Sequence, residues 1–365
     1  MSRDDKNENV GRERRKSRRS STHEATRFPV ARDVAARAAV STATVSRVLN
    51  GAGGVSPAKR AAVLKAAADL GFVANAAARA LTRRRFETVG AVIPNIENDE
   101  FIRAISAFQA GLRKAGYTLL LTSAGYDLDI EMHEATLLLE RGIDGLLLVG
   151  DIHREALLER IRRQGLPMVQ TFTLSNRENC VGFDNIAAAA KATNFLLDLG
   201  HRSIGVITGT RQENDRAGPR VRGLTEALVA RGLALRPEHD VVAGFGISAG
   251  RDGLRHLLSQ PGERPTAILC GTDQLAFGAM IEANAQGLRI PQDLSVIGFN
   301  DTDYAAFLSP GLTTVRVHAA DIGRVASDHL ISRISGRSTV RVNIIDAELI
   351  VRGSTAPPSN TRRAH

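Results

Sequence analysis

Two cysteines in 365 residues, Cys180 and Cys270, are too few for a disulfide framework, and each sits in an apolar, strand-like run. That placement reads as buried, reduced thiols. No Cys/His cluster has zinc spacing and no glycine loop has the Walker pattern, so neither a metal nor a cofactor is expected. No apolar run approaches the roughly 18 residues of a membrane span. The N-terminal stretch is charged and polar, unlike a secretory signal, and a cytoplasmic location is expected. Tryptophan is absent, and the basic N-terminal segment is mostly Ala, Arg and Val. It therefore lacks the Trp, Phe and Leu face of a membrane-surface helix. No nucleophile, base and orienting group stand together, so an enzyme is not expected. His201 and Asp198 flank a helix end in LLDLGHRSIG, where a capping or surface role is expected.

Charge is present but unevenly placed. The net charge is +9, with 19 Lys and Arg against 7 Asp and Glu in residues 1–85, and 29 against 32 in the remainder. A basic segment on a near-neutral body is the electrostatic footprint of a nucleic-acid binder. Hydrophobic residues make up 43% of the chain, enough for a sizeable core, and the length suits two or three domains.

Residues 1–27 contain almost nothing to bury and are expected to be disordered. They form either a solubilising tail or an arm attracted to phosphates. Residues 28–74 read as a helical head. ARDVAARAA turns Val34, Ala35 and Ala38 inward, and TATVSRVLN turns in Val45, Val48 and Leu49. PAKRAAVLKAAADLG turns in Val63, Leu64, Ala67 and Leu70, with Pro57 opening it after Ser56 and Gly71 stopping it. Residues 75–86 read as an alanine-rich helix running into three arginines. From residue 87 to 355 short apolar runs alternate with amphipathic helices. The runs are VGAVI, TLLLTS, GLLLVG, PMVQTF, CVGF, IGVITG, VVAG, AILCG, LSVIGFN and TTVRV. This alternation implies parallel sheets covered on both faces, and ten runs suit two doubly wound lobes with a cleft between them. Residues 356–365 are expected to be a disordered tail, and GSTAPPSNTRRAH has no heptad pattern that could zip dimers together.

In the head, the first two helices meet at a tight turn, Ala39-Val40, and Ser41 can cap the second helix. Because Val45 and Val48 point inward, Thr42, Ala43, Ser46 and Arg47 fall on the outer face. This is a helix-turn-helix pattern, whose second helix enters the major groove. Arg47 is the natural partner for guanine O6 and N7, a contact worth about 1–3 kcal/mol of discrimination. The DNA-contacting set on this element is Ser41, Thr42, Ala43, Thr44, Ser46, Arg47 and Asn50.

DVAARAAVSTATVSRVLNG, then VSPAKRAAVLKAAADLGFVANAAARALTRR, then VGAVIPNIENDEF together resemble the lactose/galactose repressor family. The resemblance covers residues 30 to about 355. It implies an all-α DNA-binding head on a periplasmic-binding-protein-like α/β core, with double-stranded operator DNA, a small effector and a second copy of the chain as partners. It departs from the family at Ala39, where glycine is usual, and at Ala43, a base-reading position where alanine can only pack.

The resemblance further implies that NAAARALT, residues 75–82, is a hinge helix that forms on DNA against its partner in a dimer. Eight residues are too few for a stable isolated helix. Asn75, Ala78, Arg79, Leu81 and Arg83 are its implied contacts, with Leu81 wedged into a minor-groove step. Implied effector contacts are Asn98, Glu100, Phe101, Phe172, Phe245, Thr272, Asp273, Asn300 and Asp301. Phe172 and Phe245 fit either a stacking role or the core. Gly218 replaces an expected family arginine, so Arg216 or Arg220 can point into the cleft or lie in surface salt bridges. Phe172 and Asn300 stand where sugar-binding relatives often carry aspartate, and QTFTLSNRENCVGFDN looks like gluconate-type repressors. An anionic sugar acid is therefore the favoured effector, with a neutral sugar as the other choice. The function implied is a DNA-binding transcriptional regulator, expected to repress, under allosteric control by that effector. A sugar-binding protein without DNA function is the alternative.

Overall fold

The computed structural model describes residues 29–51, 53–73, 85–174, 179–337 and 342–359. The expectations for residues 1–28, for the hinge at 74–84 and for 360–365 lie outside these. The chain divides into two compact units, Met1–Phe86 and Glu87–His365.

The first unit holds α1 (Ala31–Arg37), α2 (Thr42–Leu49) and α3 (Pro57–Asp69). Val34, Ala35, Val45, Val48, Val63, Ala66 and Ala67 form its core, with Val40, Leu70 and Phe72 at the margin. Small side chains let three short helices approach closely, and the Arg37–Asp69 ion pair at 3.3 Å ties α1 to α3. Gly71 takes a left-handed φ of 61°. The Phe72 N–H then reaches the Ala67 carbonyl at 2.9 Å and the Gly71 N–H the Ala68 carbonyl at 3.1 Å, which closes the exposed end of α3. One expectation fails: Leu64 is 51% exposed. The stripe that meets α1 and α2 runs through residues 63, 66, 67 and 70, and Leu64 lies a hundred degrees round the helix from Val63.

The second unit alternates strand and helix. Its first half runs β1 (Thr88–Ile93), α4 (Asp99–Lys114), β2 (Thr118–Ser123), α5 (Leu128–Arg141), β3 (Gly145–Val149), α6 (Glu155–Gln164), β4 (Met168–Thr171) and β5 (Cys180–Gly182). The second half runs α7 (Asn185–Asp198), β6 (Ile204–Thr208), α8 (Ala217–Ala230), β7 (Asp240–Val242), α9 (Gly246–Ser259), β8 (Ala267–Cys270), α10 (Asp273–Ala285), β9 (Ser295–Asn300) and β10 (Thr313–Arg316). Then come α11 (Ala319–Ile334), β11 (Val342–Ile344) and β12 (Glu348–Ile350).

The strands form two six-stranded sheets, β11-β5-β4-β3-β1-β2 and β12-β10-β9-β8-β6-β7. Pairing is parallel throughout except between β10 and β12. Central strands such as β3 and β6 are buried along their whole length, as helix cover on both faces requires. The ten apolar runs all appear as strands. β11 and β12 were not anticipated: VNI and ELI carry polar residues and form no apolar run.

The chain passes between the sheets after β5, after β10 and between β11 and β12. Helix α11 therefore leaves the second sheet and packs on α4 of the first. A Cβ on Gly323 of α11 would lie 1.9 Å from the Ala104 carbonyl oxygen of α4, so only glycine permits this helix approach.

Two further expectations are corrected here. Residues 356–359 are not a loose tail but lie against the second lobe. The Ala356 carbonyl accepts from His201 Nε2 at 2.9 Å and Ser295 Oγ at 3.1 Å. Ser354 is fully buried and its hydroxyl donates to the Val296 carbonyl at 2.6 Å. His201 is accordingly a buried clamp rather than a helix cap or surface group, and Asp198 pairs with Arg231 at 2.7 Å.

Candidate functional site

The recognition element is built by α2. Ser41 opens it, its hydroxyl accepting the Thr44 N–H at 3.2 Å and lying 3.0 Å from the Thr44 hydroxyl. The preceding turn needs a left-handed residue, and Ala39 supplies it at φ 52°, a conformation that costs a non-glycine residue energy. With Val45 and Val48 anchored in the core, Ser41, Thr42, Ala43, Ser46 and Arg47 are exposed together on one face. Thr44 and Asn50 are half-buried, and Asn50 Nδ2 donates to Ser46 Oγ at 3.2 Å. No acidic residue lies in the first turn of this helix, so nothing there repels phosphate. Asn75, Ala78, Arg79, Leu81 and Arg83 lie outside the described residues.

The second candidate site is the cleft between the two sheets, at the carboxyl ends of their strands, where α/β folds bind ligands. Its free volume is about 20 Å³. The first lobe contributes Asn98 and Glu100 from the start of α4, and Tyr126 from the loop after β2. The second contributes Thr208 and Gly209 after β6, Asn214, Arg216 and Arg220 around the start of α8, Phe245 before α9, and Thr272 after β8. Tyr126 and Phe245 stack across the cleft, ring centroids 4.9 Å apart and planes 6° from parallel.

The charged groups of the cleft are deeply buried. Arg216 donates from Nη1 to Asp215 at 2.6 Å, and its guanidinium lies 5.7 Å from the ring centres of both Phe101 and Tyr126. Burial works against this cation, but Asp215, Tyr126 and Glu100 together hold its pKa above the ordinary value. Arg220 donates from Nε to Asn185 Oδ1 at 2.9 Å and from Nη1 to the Gly271 carbonyl at 2.7 Å. It also lies 3.8 Å over the centre of the Phe299 ring. Burial pulls its pKa down to about 10, with Glu100 opposing that shift. Burial pushes the Glu100 carboxyl up, against the attraction of Arg220, Arg216 and Arg103.

The cleft thus brings together Asn98, Glu100, Arg216, Arg220, Phe245 and Thr272 of the expected effector set. The others lie elsewhere. Phe101 and Phe172 pack edge to face in the core at 5.2 Å, beneath the cleft floor. Asp273 has no exposure, and its carboxylate accepts from the Thr302 N–H at 2.7 Å, the Thr302 hydroxyl at 3.0 Å and the Thr314 hydroxyl at 2.5 Å. It joins the α10 start to the loop after β9 and to β10, and it is not part of the cleft lining. Asp301 is held by Arg316 and Arg352, each at 2.7 Å. The Asn300 carbonyl lies 3.4 Å from Arg103 Nη2, which donates to it. For Phe101, Phe172, Asp273 and Asp301 the assignment is corrected: they pack the core or hold strands together and do not line the cleft. Asn300 is absent from the cleft lining too, although its side-chain Oδ1 is buried without a partner. Tyr126, Thr208, Asn214 and Asp215 were missed. All four lie at or after the carboxyl ends of strands, the position that could have flagged them. Among the described residues no group of three or more His, Cys, Asp or Glu is placed to hold a metal ion, and no helix is long and apolar enough to cross a membrane.

Two family descriptions match parts of these units. Residues 31–75 match the family described as bacterial regulatory proteins, lacI family, and residues 193–355 match the periplasmic binding protein-like domain. The chain is 34% identical over 327 residues to the HTH-type transcriptional repressor CytR of Escherichia coli K12, covering 89% of this chain and 95% of that one. It is similar to the structure of the transcription regulator GntR from Chromobacterium violaceum, with 30% identity, TM-score 0.69, and coverage of 73% of this chain and 99% of that one. A LacI-family regulator from Silicibacter pomeroyi superposes with TM-score 0.83 at 25% identity over 90% of this chain and 99% of its own. A recognition helix with its outer face bare, a two-lobed cleft and near full-length similarity to these regulators point one way: the chain belongs to the lacI family of bacterial regulatory proteins and is a DNA-binding regulator.

Proposed function

We propose that the protein is a transcriptional repressor, working in the cytoplasm as a homodimer on a pseudo-palindromic operator, and that a small polyhydroxylated effector of the sugar type controls its DNA affinity. The reading is that of a binding protein and not of an enzyme. The observation that carries it is the presence in one chain of an exposed recognition face on α2 and an interlobe cleft with unpartnered buried polar groups. One recognition helix reads only a few base pairs, which argues for two copies on one site. Effector binding that favours one setting of the lobes biases the operator-bound state, and the coupling acts equally in both directions. Couplings of this kind are typically about 1–3 kcal/mol.

The gluconate-repressor likeness gives a sugar acid its claim as effector, supported by two arginines in the cleft. Asp215 and Glu100 offset those charges, which brings neutral sugars forward. The test is a gel shift with genomic fragments, followed by sedimentation of the complex and a screen of sugars and sugar acids for loss or gain of binding. Two chains per site and a ligand-dependent shift are expected. Absence of any sequence-preferring DNA binding would leave a sugar-binding protein without DNA function.

A further inference from the structure

Glu100 and Arg220 face the same cleft from opposite lobes, one in the first turn of α4 and the other in the first turn of α8. They are 3% and 4% exposed. Glu100 Oε2 and Arg220 Nη2 each have no hydrogen-bond partner. Buried polar atoms are nearly always paired, and a charged one left unpaired is the costliest exception. The other cation of the cleft is already matched, since Arg216 pairs with Asp215 at 2.6 Å. With Glu100 ionised, as the facing arginines favour, the buried charges balance, two arginines against two carboxylates. Among the fully buried side-chain atoms of the cleft lining, this leaves one acceptor and one donor without a partner.

We propose that Glu100 and Arg220 together read adjacent hydroxyls of a neutral effector, and that Glu100 is the residue that rejects anionic ones. This rests on the cleft being the effector site. A hydroxyl can donate and accept. One hydroxyl of a diol donates to Glu100 Oε2 and its neighbour accepts from Arg220 Nη2, so both orphan atoms are satisfied at once. A carboxylate only accepts. It would satisfy Arg220 but place a second negative charge beside Glu100 in a site that has no spare cation. The presence of two arginines, taken alone, points to an acid; the carboxylates beside them reverse that preference.

The test measures binding of matched pairs, glucose with gluconate, galactose with galactonate and ribose with ribonate, by calorimetry at neutral pH. Wild type and Glu100→Gln are compared, the substitution preserving shape while removing charge. In wild type a neutral sugar is expected to bind and its acid not. In Glu100→Gln the acid-to-neutral affinity ratio is expected to rise on the order of tenfold or more. An acid that binds wild type as well as its neutral partner overturns the proposal. So does an unchanged ratio in Glu100→Gln, or no binding by any neutral member. The effector reading fails separately. If a compound releases operator DNA from wild type and Glu100→Gln alike, the cleft keeps its role and Glu100 loses its own. If operator binding answers to no compound and none binds, both fall.

Discussion

Asp215 is shared across the cleft. Its Oδ2 accepts the backbone N–H of Asp151, in the first lobe, at 2.8 Å, while its Oδ1 takes Nη1 of Arg216 at 2.6 Å. One carboxylate thus ties the loop after β3 to the start of α8 and holds the nearer cleft arginine in place. Nearby, the Leu128 N–H of the first lobe donates to Glu213 of the second at 3.2 Å, and Tyr126 stacks on Phe245. These contacts tie the lobes together at the cleft, where an effector can strengthen or replace them.

Asp215→Asn is expected to be strongly destabilising. Both partners are nearly buried, with side chains 8% and 5% exposed. Removing one charge of a buried pair leaves the other uncompensated, at a cost of about 3–5 kcal/mol. Urea denaturation of the two proteins measures this directly; a loss below about 1 kcal/mol would show that Arg216 finds another partner.

Arg47→Ala is expected to abolish sequence preference while leaving binding that weakens steeply with salt. Arg47 is exposed on the outer face of α2, and a bidentate guanine contact supplies about 1–3 kcal/mol of discrimination, whereas phosphate attraction is indifferent to sequence. Footprinting on a selected operator at several salt concentrations decides it. Unchanged specificity would remove Arg47 from base reading.

Ala39→Gly is expected to stabilise the head by about 0.5–1 kcal/mol, because Ala39 holds φ 52° and only glycine adopts that region without strain. Thermal unfolding followed through the head's helical signal provides the measure, and no gain or a loss would contradict the strain.

Burial pushes the Asp273 carboxyl up to about 6, against hydrogen bonds from Thr314 and Thr302 that pull it down. A carboxyl raised by folding holds its proton more tightly in the native state. Its contribution to stability is therefore greatest at low pH, declines as pH rises from about 4 to about 6, and is constant above. Asp273→Asn removes that titration. The stability difference between variant and wild type should shift across this window and level off above it. Parallel stability curves through the window would argue that Asp273 titrates normally.

Much of this was legible in the residues themselves, and for local reasons. Ser41 before an inward pair of valines, Pro57 and Gly71 bounding α3, and apolar runs alternating with amphipathic stretches all act within a few positions along the chain. Short-range sterics and hydrogen bonding decide them, so the head, the two parallel sheets and the placement of Arg47 could be read directly. What a buried polar or aromatic side chain does is decided by groups far away in sequence. Whether Asp273 faces a ligand depends on Thr302 and Thr314, and whether Asp301 is free depends on Arg316 and Arg352. Phe172 falls to the core because Phe101, on another element, meets it there. Leu64 and residues 356–359 were misjudged for the same reason: burial is a property of what packs alongside. Only the tertiary fold could set Glu100 of one lobe opposite Arg220 of the other and leave an atom of each without a partner. Desolvation and pairing are settled in space, among residues that the chain order does not place side by side.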